Sequence, residues 1–266
     1  MSPEAARPHV SIERMADRHL AVLRLVNPAR KNAISATMWR EIAAFADEVS
    51  TDAGVRAVVV MSGAGFFSAG ADISDFATAR SGSANAASYD DLVEETCRKV
   101  EAIAQPTLCL LQGPCYGAGA SLAAACDMRV ATPDTRFVVP AARLGLGYDL
   151  RGIERFRRVF GPAATAALLF TANALPAAAA LGNGAVHALF EADVAEAEAF
   201  ALAERIASNA PLTVRAAKLA LRALASGDAE LRAAALEAGA AADASADYRE
   251  GRAAFGEKRT PNFTGA

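Results

Sequence analysis

The sequence predicts an α/β fold in two parts: a body of alternating strands and helices, then an almost wholly helical C-terminal part. Two observations carry this. Short runs rich in Val, Leu and Ile alternate with helix-like segments as far as about residue 150. Beyond that point alanine-rich segments of helical periodicity follow one another with little between them. No linker rich in Pro, Gly and Ser divides the chain, so a core over 1–200 and a helical region over 201–266 are expected to form one body.

The elements follow in order. Runs 10–14 and 20–25 predict two strands joined by a polar turn, the second ended by Asn27 and Pro28. Ser35 is a good N-cap for a helix to about residue 50, with Met38, Ile42, Phe45 and Val49 on one face. Residues 56–61 predict a buried strand. The small and polar residues 78–88 predict a loop, and a helix follows over 89–104. Pro106 stops that helix and starts the strand 107–111. A helix over 117–126, a strand over 128–131 and a short strand over 137–139 complete the alternating part. Helices are then predicted over 152–159, 163–170, 176–181, 191–208, 211–225, 229–242 and 245–255.

Composition narrows the function. A hydrophobic fraction of 53% permits a well-buried core, and a net charge of −3 provides no basic surplus for nucleic acid. Cys97, Cys109, Cys115 and Cys126 form no CxxC pair and read as buried thiols of a reduced, cytoplasmic protein. The first eight residues lack the apolar run of a signal peptide, and the longest apolar runs are interrupted, so no membrane partner is expected. His9, His19 and His187 lie away from every motif, no GxSxG elbow occurs, and no cluster has metal-ligand spacing, so no metal is expected.

Two glycine-containing stretches carry the chemistry. The first runs from Val60 to Ile73 and the second from Gln112 to Asp127. Small residues let another molecule approach the backbone, and in the second stretch they open a helix whose N-terminal N–H groups favour negative charge. Two N–H groups aimed at one oxygen form an oxyanion hole. Each stretch taken alone is equally a tight turn. A dinucleotide site is disfavoured because Gly70 falls too late after Gly63 and Gly65, and the glycines and Lys258 near the C-terminus miss phosphate-loop spacing by one residue.

Four stretches in order resemble the crotonase superfamily, the enoyl-CoA hydratase/isomerase family: Val26 to Ser35, Phe67 to Ile73, Gln112 to Asp127, and the tail Asp247 to Gly251 with Phe255 to Arg259. The resemblance implies a crotonase-like spiral of ββα units with a helical C-terminal trimerisation region, assembled as a homotrimer or dimer of trimers. It implies an acyl-CoA substrate and no separate cofactor, coenzyme A being part of the substrate. By position, the thioester oxygen is expected at the backbone N–H groups of Ala71 and Ala118. Coenzyme A is expected near Arg30, Lys31, Ala33, Ala69, Asp72 and Ile73, with Phe255 and Lys258 reaching it from the same or a neighbouring subunit. Lys31 and Lys258 are either phosphate contacts or solvated surface lysines.

The pattern breaks at the acids. Family hydratases use two glutamates to hold and activate water; the corresponding positions here are Ser121 and Ala141. Tyr148 and Asp149 are the nearest polar groups, where related isomerases and a dehalogenase carry an aspartate and methylmalonyl-CoA decarboxylases a tyrosine. Asp149 is either a proton shuttle or a helix cap, and Tyr148 is a candidate to orient a substrate carboxylate. Arg143 and Arg151 are either carboxylate ligands or surface ion pairs, and Cys115 reads as a small buried thiol rather than a nucleophile. The sequence thus predicts enolate stabilisation on an acyl-CoA, with isomerisation or decarboxylation at least as well served as hydration. A non-catalytic acyl-CoA-binding protein of the same fold is the alternative.

Overall fold

A computed structural model describes residues 7–63, 65–72 and 83–266, the side chains of 83–88 excepted. Ile73 and residues 78–82 of the expected loop lie outside the described residues. Strands β1 (His9–Met15), β2 (Leu20–Val26), β3 (Ala57–Ser62), β4 (Thr107–Leu111), β6 (Met128–Ala131) and β9 (Ala188–Leu189) form one sheet in the order β1-β2-β3-β4-β6-β9. Only β1 and β2 pair antiparallel; the other neighbours are parallel. Strands β5 (Cys115–Tyr116), β7 (Arg136–Val138) and β8 (Leu175–Pro176) form a second, small sheet.

Period-two alternation divides the large sheet into two apolar faces. Leu23, Leu25, Val58, Val60, Cys109 and Leu111 point to one side. There they meet α1 (Ala36–Thr51), α2 (Ser83–Ala102) and α3 (Gly117–Ala125). Leu20, Val22, Val59, Met61, Leu108 and Leu110 point to the other side, against Ala195, Ala199, Ala203 and Ala207 of α6 (Ala195–Ala207). Alanine at every fourth position gives α6 a smooth stripe that seats close to the strands. Covering on both faces explains why β3 and β4 read as continuous apolar runs.

Local chemistry sets the element ends. Ser35 Oγ accepts from Met38 N at 3.2 Å and starts α1. Helix α2 begins at Ser83, six residues before the expected start. Residues 83–88 hold three alanines and no glycine or proline, so helix propensity prevails over their small, polar appearance. The helices expected over 152–159 and 163–170 are one element, α4 (Leu150–Thr171), interrupted at Gly161 with φ 78°, where Pro162 begins the second half. Strands β8 and β9 fall in the part expected to be almost wholly helical; two residues are too few to show a period.

After α5 (Ala177–Gly182) and α6, the C-terminal helices are α7 (Pro211–Ser226), α8 (Ala229–Ala244) and α9 (Ala246–Glu257). Gly227, with φ 70°, ends α7, and the Asp228 side chain caps α8. Leu221, Leu224 and Leu236 are exposed on this pair. Among the described residues no helix is long and apolar enough to cross a membrane.

Lys218 of α7 ties this region to the core. Its buried Nζ lies 2.7 Å from Asp127 Oδ2 and donates to the Gln105 carbonyl at 2.9 Å. The same Oδ2 accepts from Thr107 N and Oγ. A buried ammonium is stable only with such partners. Lys218→Ala is expected to cost about 2 kcal/mol, less than for a wholly buried pair because Asp127 is partly exposed. A urea titration at fixed protein concentration measures the loss; an unchanged midpoint contradicts it.

Candidate active site

The site begins with a close approach of two segments. Residues 66–72 run between residues 31–34 on one side and 114–117 on the other. Ala69 N donates to Lys31 O, Ile34 N to Gly70 O, and Asp72 N to Ile34 O. Phe67 N and Ser68 N donate to Pro114 O, and Tyr116 N to Ser68 O. Ser68 Oγ donates to Asn32 O at 2.7 Å and accepts from Gly70 N at 3.1 Å. Ser68 therefore pins the bend from inside.

This pattern aims Ala71. Ile34 uses the carbonyl before Ala71 and the N–H after it, as in a parallel bridge. The N–H of Ala71 itself consequently points to the opposite side, where Ala71 lines a cavity. Ala118 is the second residue of α3, whose N-cap Tyr116 makes no side-chain cap, so its N–H belongs to the open first turn. Ala69, Ala71 and Ala118 line the same cavity, of about 450 Å³.

Two glycines make the approach possible. A Cβ on Gly70 (φ 96°) would stand 3.1 Å from the Tyr116 carbonyl oxygen and 3.7 Å from Ala118 N. A Cβ on Gly119 would stand 2.6 Å from Ser68 Cβ. The helix dipole adds to the attraction for negative charge between the segments.

The cavity wall is mostly apolar, with Val93, Val139, Ala141, Leu144 and Leu146 in it. Ser121 and Ala141, the two positions to which the resemblance assigns the hydratase glutamates, both line the cavity. Ser121 Oγ is 2.9 Å from Tyr148 OH. The Tyr148 ring stacks on Phe156, and Phe156 and Phe160 continue edge-to-face to Phe137. Burial pushes the Tyr148 phenol above its ordinary value, while the Ser121 bond pulls the other way. The phenol is therefore a neutral hydrogen-bonding group, not a base.

Asp149 borders the cavity but serves as the N-cap of α4, accepting from Arg151 N at 2.8 Å. The Arg151 guanidinium adds bonds of 2.9 and 2.7 Å and holds the carboxyl below the usual carboxylate range. Of the two readings of Asp149, the structure displays the cap directly. Arg151 is spent on Asp149 and Asp91, and Arg143 on Asn173.

Glu94 escapes the sequence analysis. It lies on α2, 5% exposed, and lines the cavity. Its Oε2 accepts from Arg155 at 2.9 Å. Burial raises its carboxyl above the usual range, with Arg155 opposing. One signal was available: Glu94 shares a helix face with Cys97 and Glu101, and Cys97 is fully buried.

The remaining expected residues divide by place. Arg30 is paired with buried Asp72 at 2.6 Å and so anchors the bend next to Ala71. Lys31 Nζ sits 5.5 Å above the Phe66 ring at the surface, and Ala33 is buried, its carbonyl accepting from Asn27. Phe255, 88% exposed, and Lys258, the left-handed cap of α9, lie on the C-terminal helix and are not part of the cavity wall of this chain.

The Enoyl-CoA hydratase/isomerase family model matches residues 16–266. The chain belongs to that family. A 2,3-dehydroadipyl-CoA hydratase of Escherichia coli is 30% identical over 252 residues, covering 92% of this chain and 94% of the relative. A rat mitochondrial Delta(3,5)-Delta(2,4)-dienoyl-CoA isomerase is 33% identical over 217 residues, covering 77% and 66%. The crystal structure of an enoyl-CoA hydratase/carnithine racemase from Magnetospirillum magneticum superposes with a TM-score of 0.89 at 32% identity, covering 97% and 96%. The fold is therefore the crotonase fold, and both hydratases and isomerases stand among the relatives.

Gly119→Ala pushes the α3 start away from Ser68 and is expected to lower turnover of any thioester the wild type accepts by roughly 100- to 1,000-fold, the scale of one backbone donor if these N–H groups receive a developing oxyanion. A steady-state assay beside a thermal melt tests this, and full activity in a folded variant contradicts it. The four cysteines are buried, and burial pushes the Cys97 thiol up to about 12 and raises Cys109 and Cys115. A thiol reagent is expected to leave them untouched until denaturant is added.

Proposed function

We propose that this chain converts acyl-CoA thioesters through an enolate held by the N–H groups of Ala71 and Ala118, and that double-bond isomerisation is the reaction its residues fit best. The observation that carries this is the cavity wall. Backbone donors suited to a thioester oxygen stand there with a hydroxyl, Ser121, and a methyl, Ala141, at the two hydratase glutamate positions. Hydration needs a water held and deprotonated on one side and a proton delivered on the other. Isomerisation needs less. A base takes a proton from C2 of a 3-enoyl thioester, the electron pair runs into the C1–C2 bond, and charge collects on the thioester oxygen. The proton returns at C4 and the double bond settles between C2 and C3.

Arg30, Lys31, Ala33, Ala69, Asp72 and Ile73 form the proposed mouth for coenzyme A, which enters and leaves as part of the substrate. Arg30 acts there through Asp72. Lys31 and Lys258 supply charge for the phosphates, and Phe255 and Lys258 fit best as a contribution to a neighbouring subunit's site. Exposed Phe255, Leu221, Leu224 and Leu236 support association as a homotrimer or dimer of trimers through the 201–266 region. Decarboxylation is the second reading, favoured by the Ser121 and Tyr148 hydroxyls, which offer hydrogen bonds to a substrate carboxylate.

A panel of 3-hexenoyl-CoA, crotonyl-CoA and methylmalonyl-CoA tests this. Isomerisation of the 3-enoyl thioester is expected to exceed hydration of crotonyl-CoA by roughly 100-fold, the scale of one missing general acid or base. Fast hydration of crotonyl-CoA contradicts the proposal. Binding of all three without turnover supports the non-catalytic alternative.

A further inference from the structure

We infer that Glu94 is the group that carries the proton in this site, and that it exchanges that proton with solvent through a second cavity behind it. The inference rests on the enolate reading above and supplies the base that reading leaves unassigned.

The cavity that holds Ala71 and Ala118 has three carboxylates in its wall among the described residues: Asp90, Glu94 and Asp149. Asp149 is bound by the Arg151 backbone and guanidinium. Asp90 is more exposed than Glu94. Glu94 gives one oxygen to Arg155, and among the described residues its Oε1 takes no hydrogen bond. That oxygen lies beside Gly152: a Cβ there would stand 3.1 Å from Oε1 and 2.8 Å from Tyr148 Cε1. Glycine at 152 thus leaves room for a carboxylate next to the Tyr148–Ser121 pair.

A second cavity, of about 210 Å³, also has Glu94 in its wall, and among the described residues Glu94 is the one that lines both. Arg98, Glu101, Arg151, Arg155 and Arg158 give this cavity a charged wall that reaches the surface, with space for several waters. The groups facing Glu94 are Arg151, Glu154, Arg155 and Arg158 from α4 and Tyr148 and Asp149 from the loop before it. From its own helix they are Asp90, Glu95, Cys97, Arg98 and Glu101. Arg155, shared with Glu101 at 2.8 Å, fixes the carboxylate without taking both oxygens.

In the step this supports, Oε1 removes the C2 proton, the electron pair passes to the thioester oxygen at the hole, and Glu94 is left neutral. It returns the proton to C4, or loses it to water in the second cavity and takes another. Burial of the anion favours the neutral intermediate state, so the acid limb of activity is expected above the ordinary carboxylate range: activity falls as the pH drops through that raised value.

The test is hydrogen–deuterium exchange at C2 of hexanoyl-CoA, a saturated thioester, followed by NMR in D2O across pH on the full-length protein. The wild type is expected to exchange with a raised acid limb. Glu94→Gln, which keeps the Arg155 bond, is expected to slow exchange roughly 100- to 10,000-fold and to erase the limb while thioester binding persists. If Glu94→Gln fails to fold, the double variant Glu94→Gln, Arg155→Met removes the uncompensated buried charge and is read in its place. Exchange within about threefold of wild type with the limb intact overturns the inference. So does loss of the limb in Asp90→Asn or Asp149→Asn but not in Glu94→Gln. A wild type that binds hexanoyl-CoA yet neither exchanges it nor turns over any thioester of the panel sinks the enolate reading itself, and this inference with it.

Discussion

The structure depends on one close approach: the bend at residues 68–71 against the first turn of α3. Everything at the site follows from how near these backbones come. Gly119 lets Ser68 lie on the helix start, Gly70 lets the bend pass the Tyr116 carbonyl, and Ser68 Oγ locks it by bonding on both sides. The result leaves the Ala71 N–H facing away from Ile34 and the Ala118 N–H in an uncapped helix turn. In the proposed enolate reading no side chain is needed to stabilise negative charge there, so alanines can occupy both donor positions. Donors fixed by the fold require little reorganisation when charge develops.

The large sheet and its two helix layers serve that approach. Strand β4 leads into the 112–117 segment, and β3 leads into 63–72, so the parallel β3–β4 pairing sets the two segments side by side. Arg129, buried below, donates to the Cys126 and Ala123 carbonyls and holds the far end of α3. Lys218 and Asp127 then tie the C-terminal helices to the strand that follows. The acid chemistry is separable from this frame. With Ser121 and Ala141 in the wall, the proposed reading draws the proton-bearing group, Glu94, from another element, α2, so the reaction can differ from hydration without altering the close approach.

Much of this was legible in the residues. Ser35, Pro106 and the runs 107–111 and 128–131 fixed elements close to where they occur, because caps, breakers and buried runs are local signals. The two glycine-containing stretches were legible as chemistry only through their order and resemblance; each alone was also a turn. Other features were hidden for physical reasons. Strands of two residues, as at 175–176 and 188–189, have no period. Residues 83–88 looked like a loop because small polar residues serve both states. Glu94 was indistinguishable from Glu95 by type, and only the packing of α2 against Tyr148 and Arg155 separates a buried carboxylate from an exposed one. Asp149 was open between cap and shuttle, and its bonds to Arg151 display the cap.

The most direct test of the hole is the vibrational frequency of a bound thioester. Isotope-edited infrared difference spectra of acyl-CoA labelled with carbon-13 at the thioester carbonyl report the polarisation of that one bond. Two backbone donors at the carbonyl oxygen predict a clear shift to lower frequency on binding, lost in a variant whose α3 start is forced away from Ser68. A bound thioester that absorbs at its frequency in water would contradict the account at its centre.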